Sequence, residues 1–131
     1  MMQDTIFTKI IKGEIPCYKI AENDDFIAFL DIMPLRKGHT LVVPKKQIDY
    51  IYDLPDSILA ELMVFSKDVA QKIESKIACK RIGVAVIGLE VPHAHVHLIP
   101  INNVADMDFK QPKLNLTKEE FQDIAGLINN N

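Results

Sequence analysis

Apolar residues recur at three- and four-residue steps over a long stretch in the middle of the chain. This spacing places side chains along one face of an α-helix. The stretch runs from Pro55, which suits a first helical turn, to about Ile77. Its apolar positions are Ile58, Leu59, Leu62, Met63, Val69, Ile73 and Ile77. We therefore predict one long helix.

The same spacing, over fewer residues, predicts a short helix near each end of the chain. Asp4 can cap the first helix, which continues to about Ile11 and ends before Gly13. Near the other end, Thr117 and Glu120 have the spacing of a capping box. An amphipathic pattern follows them, formed by Phe121, Ile124, Ala125 and Ile128.

Between these helices lie five short stretches that are rich in β-branched and aromatic residues. They read "CYKIAEND", "FIAFLDI", "HTLVVP", "RIGVAVIG" and "HAHVHLIPI". The third is mostly apolar, which predicts a strand that is buried on both faces. The order of elements favours an α+β fold: a five-stranded antiparallel sheet with a long helix and a short N-terminal helix packed against it, plus a short C-terminal helix.

Composition predicts a single globular domain over residues 1–131. Apolar residues make up 48% of the chain and charged residues 25%, with a net charge of −3 and no basic tract. Duplex nucleic acid is therefore not an expected partner. No apolar run reaches the length of a membrane span, and the first residues lack the apolar core of a signal peptide. Cys17 and Cys79 form no CxxC pair, so we expect reduced thiols and a cytoplasmic protein.

The candidate chemistry lies in the four histidines. His93, His95 and His97 occupy alternate positions of the last predicted strand, so that their side chains share one face while Ala94, Val96 and Leu98 point into the core. The fourth, His39, begins the third predicted strand. Imidazole can ligate a metal, transfer a proton or act as a nucleophile.

Two types of reaction fit this pattern. A zinc site can use a His-x-His pair, with His39 as a further ligand, but no histidine–carboxylate motif accompanies it. In the second type, which needs no metal, a central imidazole attacks phosphorus while its neighbours donate hydrogen bonds to an anionic substrate. We favour the second type, and we expect neither a metal nor a cofactor.

The stretch "HAHVHLI" resembles the motif of the histidine triad (HIT) family of nucleotide-binding hydrolases and transferases, His-x-His-x-His-x-x with apolar residues at x. "DTIFTKIIKGEIP" resembles the family's N-terminal helix and turn, and "FIAFLDIMPLRKGHTLVVPKKQI" resembles its central hairpin. Together these segments cover most of a core at about residues 4–100. The tail, residues 101–131, lies outside the resemblance.

The resemblance implies hydrolysis of a nucleoside phosphoramidate or a related purine nucleoside 5′-phosphate derivative. His95 would attack the α-phosphorus and form a nucleotidyl-histidine, which water would then cleave. His97 would bind the phosphate, and His93 and His39 would hold the tautomers of the network. His97 stands where the nucleotidyltransferases of the superfamily typically carry glutamine, which favours the compact hydrolase branch and its homodimers.

The resemblance also assigns binding residues for the rest of the nucleotide. Asp31 matches the acid that binds the ribose hydroxyls. The apolar wall around the base would consist of Ile6, Phe7, Phe29 and Ile32, although plain core packing explains these four residues equally well.

One loop departs from the family pattern. Relatives carry a longer Gly-rich loop before the triad, with Gln and Ser or Thr that contact the phosphate, whereas this chain has the shorter "VAVIGLEVPH". Leu89 and Glu90 replace the neutral donors, and Pro92 stiffens the approach. A carboxylate near a phosphate weakens anion binding, unless Glu90 points to solvent or favours a cationic leaving group. A nucleotide-binding or regulatory module with little catalytic activity is therefore the first alternative to a hydrolase.

Overall fold

Within residues 3–130, which the computed structural model describes, the five predicted strands and three predicted helices follow one another in the expected order. They are α1 (Ile6–Ile11), β1 (Lys19–Glu22), β2 (Phe26–Leu30), β3 (Thr40–Pro44), α2 (Asp56–Glu74), β4 (Arg81–Ala85), β5 (Val96–Ile101) and α3 (Lys118–Asn129). Short 3₁₀ helices span Ile51–Asp53 and Val104–Met107. The α+β prediction is confirmed.

The strands form one antiparallel sheet in the order β1-β2-β3-β5-β4. β3 pairs with β2 on one side and with β5 on the other, which joins the early and late halves of the chain at the centre of the sheet. In this register Leu41 faces His97 and Thr40 faces Leu98. Directly opposed residues of antiparallel strands share a face of the sheet, so His97 and Leu41 lie on the same side.

The two faces of the sheet are covered differently. On one face, which we call the helix face, α2 and α3 pack against the sheet and form the larger apolar cluster, with Leu62, Val69 and Ile124 from the helices. On the other, the histidine face, α1 contributes Phe7 to a smaller cluster with Ile27, Phe29, Leu41 and Val43. All residues of β2 and β3 are buried, as predicted for the third strand.

The first helix is capped by a different residue from the predicted one. Thr5, not Asp4, is the N-cap: its hydroxyl accepts a hydrogen bond from the Thr8 N–H at 3.1 Å. Asp4 instead forms an exposed ion pair with Lys12 at 2.8 Å. The end of α1 agrees with prediction, because Gly13 follows with a φ of +80°.

The long helix is shorter than its apolar pattern. α2 ends at Glu74, so Ile77 lies beyond it, although its side chain still packs against the larger cluster. Met63 is 46% exposed and faces away from the core. The predicted capping box of Thr117 and Glu120 is present at the start of α3. No helix in the described part of the chain is long and apolar enough to cross a membrane.

The last two strands also differ from the quoted stretches. β4 stops at Ala85, and β5 begins only at Val96, so His93 and His95 precede the strand. The cause lies in the backbone, because the N–H of Ala94 donates to the carbonyl of Ile48 at 2.7 Å. A hydrogen bond to a loop outside the sheet keeps this segment out of the ladder. The prediction that the three triad histidines lie within one strand is therefore wrong, although Ala94, Val96 and Leu98 are buried as expected.

Candidate active site

The fold gathers all four histidines at one place on the histidine face. A cavity of about 440 Å³ opens there, and His39, His95 and His97 line it. This volume is in the range of small-ligand sites. His93 does not line the cavity and is fully buried beside it, with 0% of its surface exposed. The backbone before β5 and the start of β3 therefore bring together residues that are more than fifty positions apart.

The hydrogen bond of His95 determines which of its nitrogens is reactive. Its Nδ1 lies 2.8 Å from the carbonyl oxygen of His93. A carbonyl can only accept, so the proton is on Nδ1 and the neutral ring has its lone pair on Nε2. The ring also packs edge-on against Phe7, with centroids 4.9 Å apart, which fixes its orientation.

His39 and His97 form a relay whose proton positions are set from one end. The backbone N–H of Leu35 donates to His39 Nδ1 at 3.0 Å, so that nitrogen carries the lone pair. His39 Nε2 then carries the proton and donates it to His97 Nδ1, also at 3.0 Å. His97 is left with an N–H at Nε2, which makes its free nitrogen a donor, whereas that of His95 is an acceptor.

Gly38 allows His39 to occupy this position. It precedes His39 with a φ of +90°, which residues with a side chain rarely adopt. A Cβ at this position would lie 3.2 Å from the side chain of Pro100, so the turn is also tight. The glycine therefore fits both the conformation and the space at the start of β3.

His93 connects the triad to α1 and β3. Its Nε2 donates to the carbonyl of Pro44 at 2.8 Å, so its Nδ1 is an acceptor. The hydroxyl of Thr5 lies 3.2 Å from that Nδ1 and donates to it. Since the carbonyl of His93 orients His95, these contacts hold the imidazole of His95 indirectly.

Burial favours the uncharged forms of His39, His93 and His97 near neutral pH. Burial, ahead of the neighbouring His97 and Lys113, lowers the pKa of His39 to about 3. It also lowers the pKa of His97 to about 4, with His95 and Lys113 as the smaller causes. The pKa of His93 is lowered too, again mainly by burial. These directions agree with the neutral tautomers that the hydrogen bonds require.

Asp31 lies at the end of β2, and its carboxylate lines the cavity beside His39. One oxygen accepts from the Met33 N–H at 2.8 Å, and the other lies 3.5 Å from His39 Nε2. Burial raises the pKa of Asp31, against the opposing effect of the Met33 N–H. The fold thus supplies the carboxylate near His39 that the sequence alone did not show.

Asp31, His39 and His97 also offer ligand atoms that all lie within 4.8 Å of one another. Such a set of one carboxylate and two imidazoles suits a transition metal. The nitrogens of His39 and His97 that face each other are, however, already joined by their hydrogen bond. A metal could bind only after this bond opens.

The four residues expected to form an apolar wall all line the cavity, but they divide into two pairs. Phe7 and Phe29 are 5% and 3% exposed, and their rings meet edge-on at 5.7 Å within the smaller cluster. They therefore serve core packing and cavity lining at once. Ile6 and Ile32 are 45% and 63% exposed, so their side chains are available to a ligand.

The shortened loop forms part of the cavity wall. Leu89 and Glu90 are exposed and line it, whereas Pro92 is exposed but does not. Glu90 therefore adds a carboxylate to the lining of the cavity, next to the apolar Leu89 along the chain.

Two lining residues come from the tail that the sequence analysis left unassigned. Phe109 packs edge-on against His97, with centroids 4.9 Å apart. Lys113 also lines the cavity, and its ammonium donates to the carbonyl of Phe109 at 2.7 Å. Neither residue lies in a periodic pattern. The one sequence signal was a lone aromatic residue and a lysine in "DFKQPK", which is too common to predict a site.

Comparisons with known proteins show the family of this chain. The model of the HIT domain matches residues 12–104. An uncharacterized HIT-like protein of Borreliella burgdorferi is 37% identical over 99% of this chain and 99% of its own length. The adenosine 5′-monophosphoramidase HNT1 of Saccharomyces cerevisiae is 40% identical over 72% of this chain and 61% of its own.

A solved structure shows the same fold. It is that of a HIT-like protein from Bartonella henselae, which is 30% identical and covers 96% of this chain and 95% of its own, with a TM-score of 0.82. The family model alone spans well over half of the chain. Sequence, fold and comparisons thus agree that this chain belongs to the histidine triad (HIT) family.

Proposed function

We propose that this protein is a nucleotide hydrolase that cleaves nucleoside phosphoramidates, or related purine nucleoside 5′-phosphate derivatives, with His95 as the nucleophile. The observation that carries the proposal is the hydrogen bond from His95 Nδ1 to the carbonyl of His93, since it leaves the lone pair of Nε2 for attack. The name of the yeast relative, an adenosine 5′-monophosphoramidase, supports the same reaction class.

The reaction has two steps. In the first, His95 Nε2 forms a bond to the α-phosphorus while the phosphorus–nitrogen bond to the leaving group breaks, and the departing amine takes a proton from solvent. In the second, water attacks the same phosphorus, the bond to His95 breaks and the nucleoside monophosphate leaves. The free imidazole is then restored, so no cofactor is consumed.

The neighbouring residues have complementary roles in this proposal. His97 donates its Nε2 proton to a phosphate oxygen, and His39 maintains that donor through the relay. His93 positions the carbonyl that orients His95. Asp31 accepts hydrogen bonds from the ribose, and the base lies against Ile6, Phe7, Phe29 and Ile32.

The decisive experiment compares His95→Ala with the wild-type protein on adenosine 5′-monophosphoramidate. We expect the variant to lose at least ~10³-fold in turnover, because removal of a nucleophile abolishes the covalent route. It should retain binding of AMP, measured by calorimetry. Mass spectrometry of a rapidly quenched wild-type reaction should show protein that is heavier by one nucleotidyl group. Lys80→Ala, at an exposed position outside the cavity, is the control.

Other outcomes point to the alternatives. Turnover by His95→Ala at a rate close to the wild type contradicts the proposal. Binding of AMP without cleavage of any phosphoramidate would favour a binding or regulatory module, which the carboxylate of Glu90 at the cavity wall supports.

A metal-dependent hydrolase is the second candidate, favoured by the proximity of Asp31, His39 and His97. Stoichiometric zinc in the purified protein, together with loss of activity on chelation, would support it. Full activity in the presence of a chelator would dismiss it.

We further propose that the protein forms a homodimer through β4. This strand lies at one edge of the sheet, and in the described part of the chain its exposed apolar residues continue into the following loop. Val84, Val86 and Ile87 are 52%, 40% and 48% exposed. Sedimentation analysis tests this: the wild type should be a dimer, and Val84→Glu should shift it toward monomer. A monomeric wild type would contradict the proposal.

A further inference from the structure

The cavity has an unfavourable balance of charge for a phosphate ligand. Asp31 and Glu90 both line it, and Lys113 is the one lysine or arginine among the described residues that do. The imidazoles of His39 and His97 are neutral donors, because burial lowers their pKa to about 3 and about 4. A phosphate that reaches His95 therefore meets two carboxylates and a single ammonium group.

The segment that carries this ammonium is fixed at both ends. At its start, the carboxylate of Asp106 accepts from the backbone N–H groups of Asn102 and Asn103, at 2.7 and 3.2 Å. At its end, the N–H of Leu114 donates to the carbonyl of Pro34 at 2.8 Å. These bonds hold the tail against the rim of the cavity.

Within this segment, Lys113 is already oriented. Its ammonium donates to the carbonyl of Phe109 at 2.7 Å and lies 5.6 Å from the centroid of the Phe109 ring. The same ring packs edge-on against His97. An ammonium group has three N–H donors, and the bond to Phe109 uses one of them. Phe109 thus packs against both this ammonium group and the imidazole that is expected to bind phosphate.

We propose that Lys113 binds the phosphate of the nucleotide and supplies the anion-binding group that the short loop before the triad does not. The inference rests on the proposed function, because it assigns a residue to the phosphate of that substrate. A bond from an ammonium to a phosphate oxygen is charge-assisted and stronger than one from a neutral donor.

The test measures the affinities of the full-length protein for AMP, adenosine and inorganic phosphate, with Lys113→Met, Lys113→Arg and Lys110→Met as variants. Lys110 is exposed and does not line the cavity, so its variant is the matched control. We expect Lys113→Met to weaken the binding of AMP and of phosphate about tenfold, and the binding of adenosine less than twofold. Lys113→Arg should retain most of the affinity, and Lys110→Met should match the wild type.

A second measurement separates charge from structure. The charge of Lys113 is one of the causes that lower the pKa of His97, after burial and His95. Its removal in Lys113→Met should therefore raise the pKa of His97, which a pH titration of the imidazole nitrogens by NMR detects. A merely structural role for the side chain predicts no such rise while the fold is intact.

Each result decides the inference separately from the proposed function. Unchanged affinities for AMP and phosphate in Lys113→Met overturn it, even if the pKa of His97 moves and even if the wild type hydrolyses phosphoramidates. A loss of affinity for adenosine as large as that for AMP also overturns the inference. A wild type that binds phosphate through Lys113 but cleaves no nucleotide would retain this anion site and refute the hydrolase proposal. A wild type that binds neither AMP nor phosphate would refute both.

Discussion

Both faces of the sheet bury side chains, but by different means. On the helix face, Val42, Val96 and Leu98 pack against α2 and α3 with at most 1% of their surfaces exposed, in a cluster of apolar side chains. On the histidine face, the cluster around Phe29 is smaller, and imidazoles occupy much of the rest. The helix face has the ordinary structure of a core, whereas the histidine face has a cavity in its centre.

The difference shows how polar groups are buried beside a cavity. Each of the four imidazoles has a hydrogen-bond partner: Pro44 and Thr5 for His93, the carbonyl of His93 for His95, and Leu35 for the relay of His39 and His97. Buried polar groups without such partners would destabilise the fold. The same bonds select the tautomers, so a single set of contacts serves stability and the proposed chemistry.

The largest expected effect is on the stability at acid pH, where the imidazoles of the histidine face should lower the free energy of unfolding and the apolar helix face should not. The pKa values of His39 and His97 are about 3 and about 4 in the folded state, below the unfolded value near 6.5. As the pH falls below about 6.5, the unfolded chain takes up protons that the folded one does not. Each imidazole should therefore lower the free energy of unfolding by about 1.4 kcal/mol per pH unit, down to its folded pKa.

The variant His97→Gln isolates one of these groups. Urea unfolding between about pH 7 and pH 5 should show an average pH slope shallower than the wild-type slope by about 1 kcal/mol per pH unit, because the unfolded imidazole takes up its proton only below about pH 6.5. Glutamine has hydrogen-bonding groups but does not titrate in this range. Identical slopes for the two proteins would mean that His97 has an ordinary pKa in the folded state.

The second comparison removes a leucine from each face. Leu98→Ala, on the helix face, should lower the free energy of unfolding by about 2–5 kcal/mol, because a cavity remains in a closed core. For Leu41→Ala, the loss in free energy of unfolding should lie near the lower end of that range, since Leu41 already borders the cavity. This variant should, however, raise KM. Denaturant unfolding and steady-state kinetics measure the two effects. A KM change in Leu98→Ala but not in Leu41→Ala would contradict the assignment of the faces.

The third comparison concerns two capping threonines. Thr5→Val removes the cap of α1 and the hydrogen bond to His93, so we expect a loss of ~1–2 kcal/mol in stability and about tenfold in kcat. Thr117→Val removes the equivalent cap of α3, which packs on the helix face, away from the triad. It should cost ~1 kcal/mol and leave kcat unchanged. Equal kcat values in the two variants would show that the hydrogen bond from Thr5 to His93 does not contribute to catalysis.

The smallest effect concerns a buried hydroxyl on the helix face. Ser66 of α2 is 2% exposed, and its hydroxyl has no hydrogen-bond partner within residues 3–130. Ser66→Ala should therefore stabilise the protein by up to about 1 kcal/mol in urea unfolding. Thr40→Val is the opposite case, since the buried Thr40 hydroxyl donates to the carbonyl of Gly38 at 2.8 Å, and it should destabilise by ~1 kcal/mol. A destabilised Ser66→Ala would show that the hydroxyl is satisfied in solution.

The sequence predicted the helices and strands well because each depends on local periodicity. The predictions failed at residues whose position is decided by tertiary contacts. Asp4 and Thr5 are both good helix caps, and Thr5 has the additional hydrogen bond to His93, a partner far along the chain. Met63 fits the apolar stripe of α2 and yet faces outward, because a stripe shows which residues are apolar but not how wide the packed face is. His93 and His95 alternate as strand residues do, but the bond from Ala94 to Ile48 excludes them from the ladder.

The sequence by itself determined the order of strands and helices, the alternation that sets the histidines apart from the core residues, and the family. Only the tertiary structure decided where the protons lie on His39, His95 and His97, and that Lys113 borders the same cavity. The physical reason is that an imidazole proton follows its hydrogen-bond partner. For His39 and His95 that partner is a backbone group, and for His97 it is the ring of His39, which only the fold brings within reach.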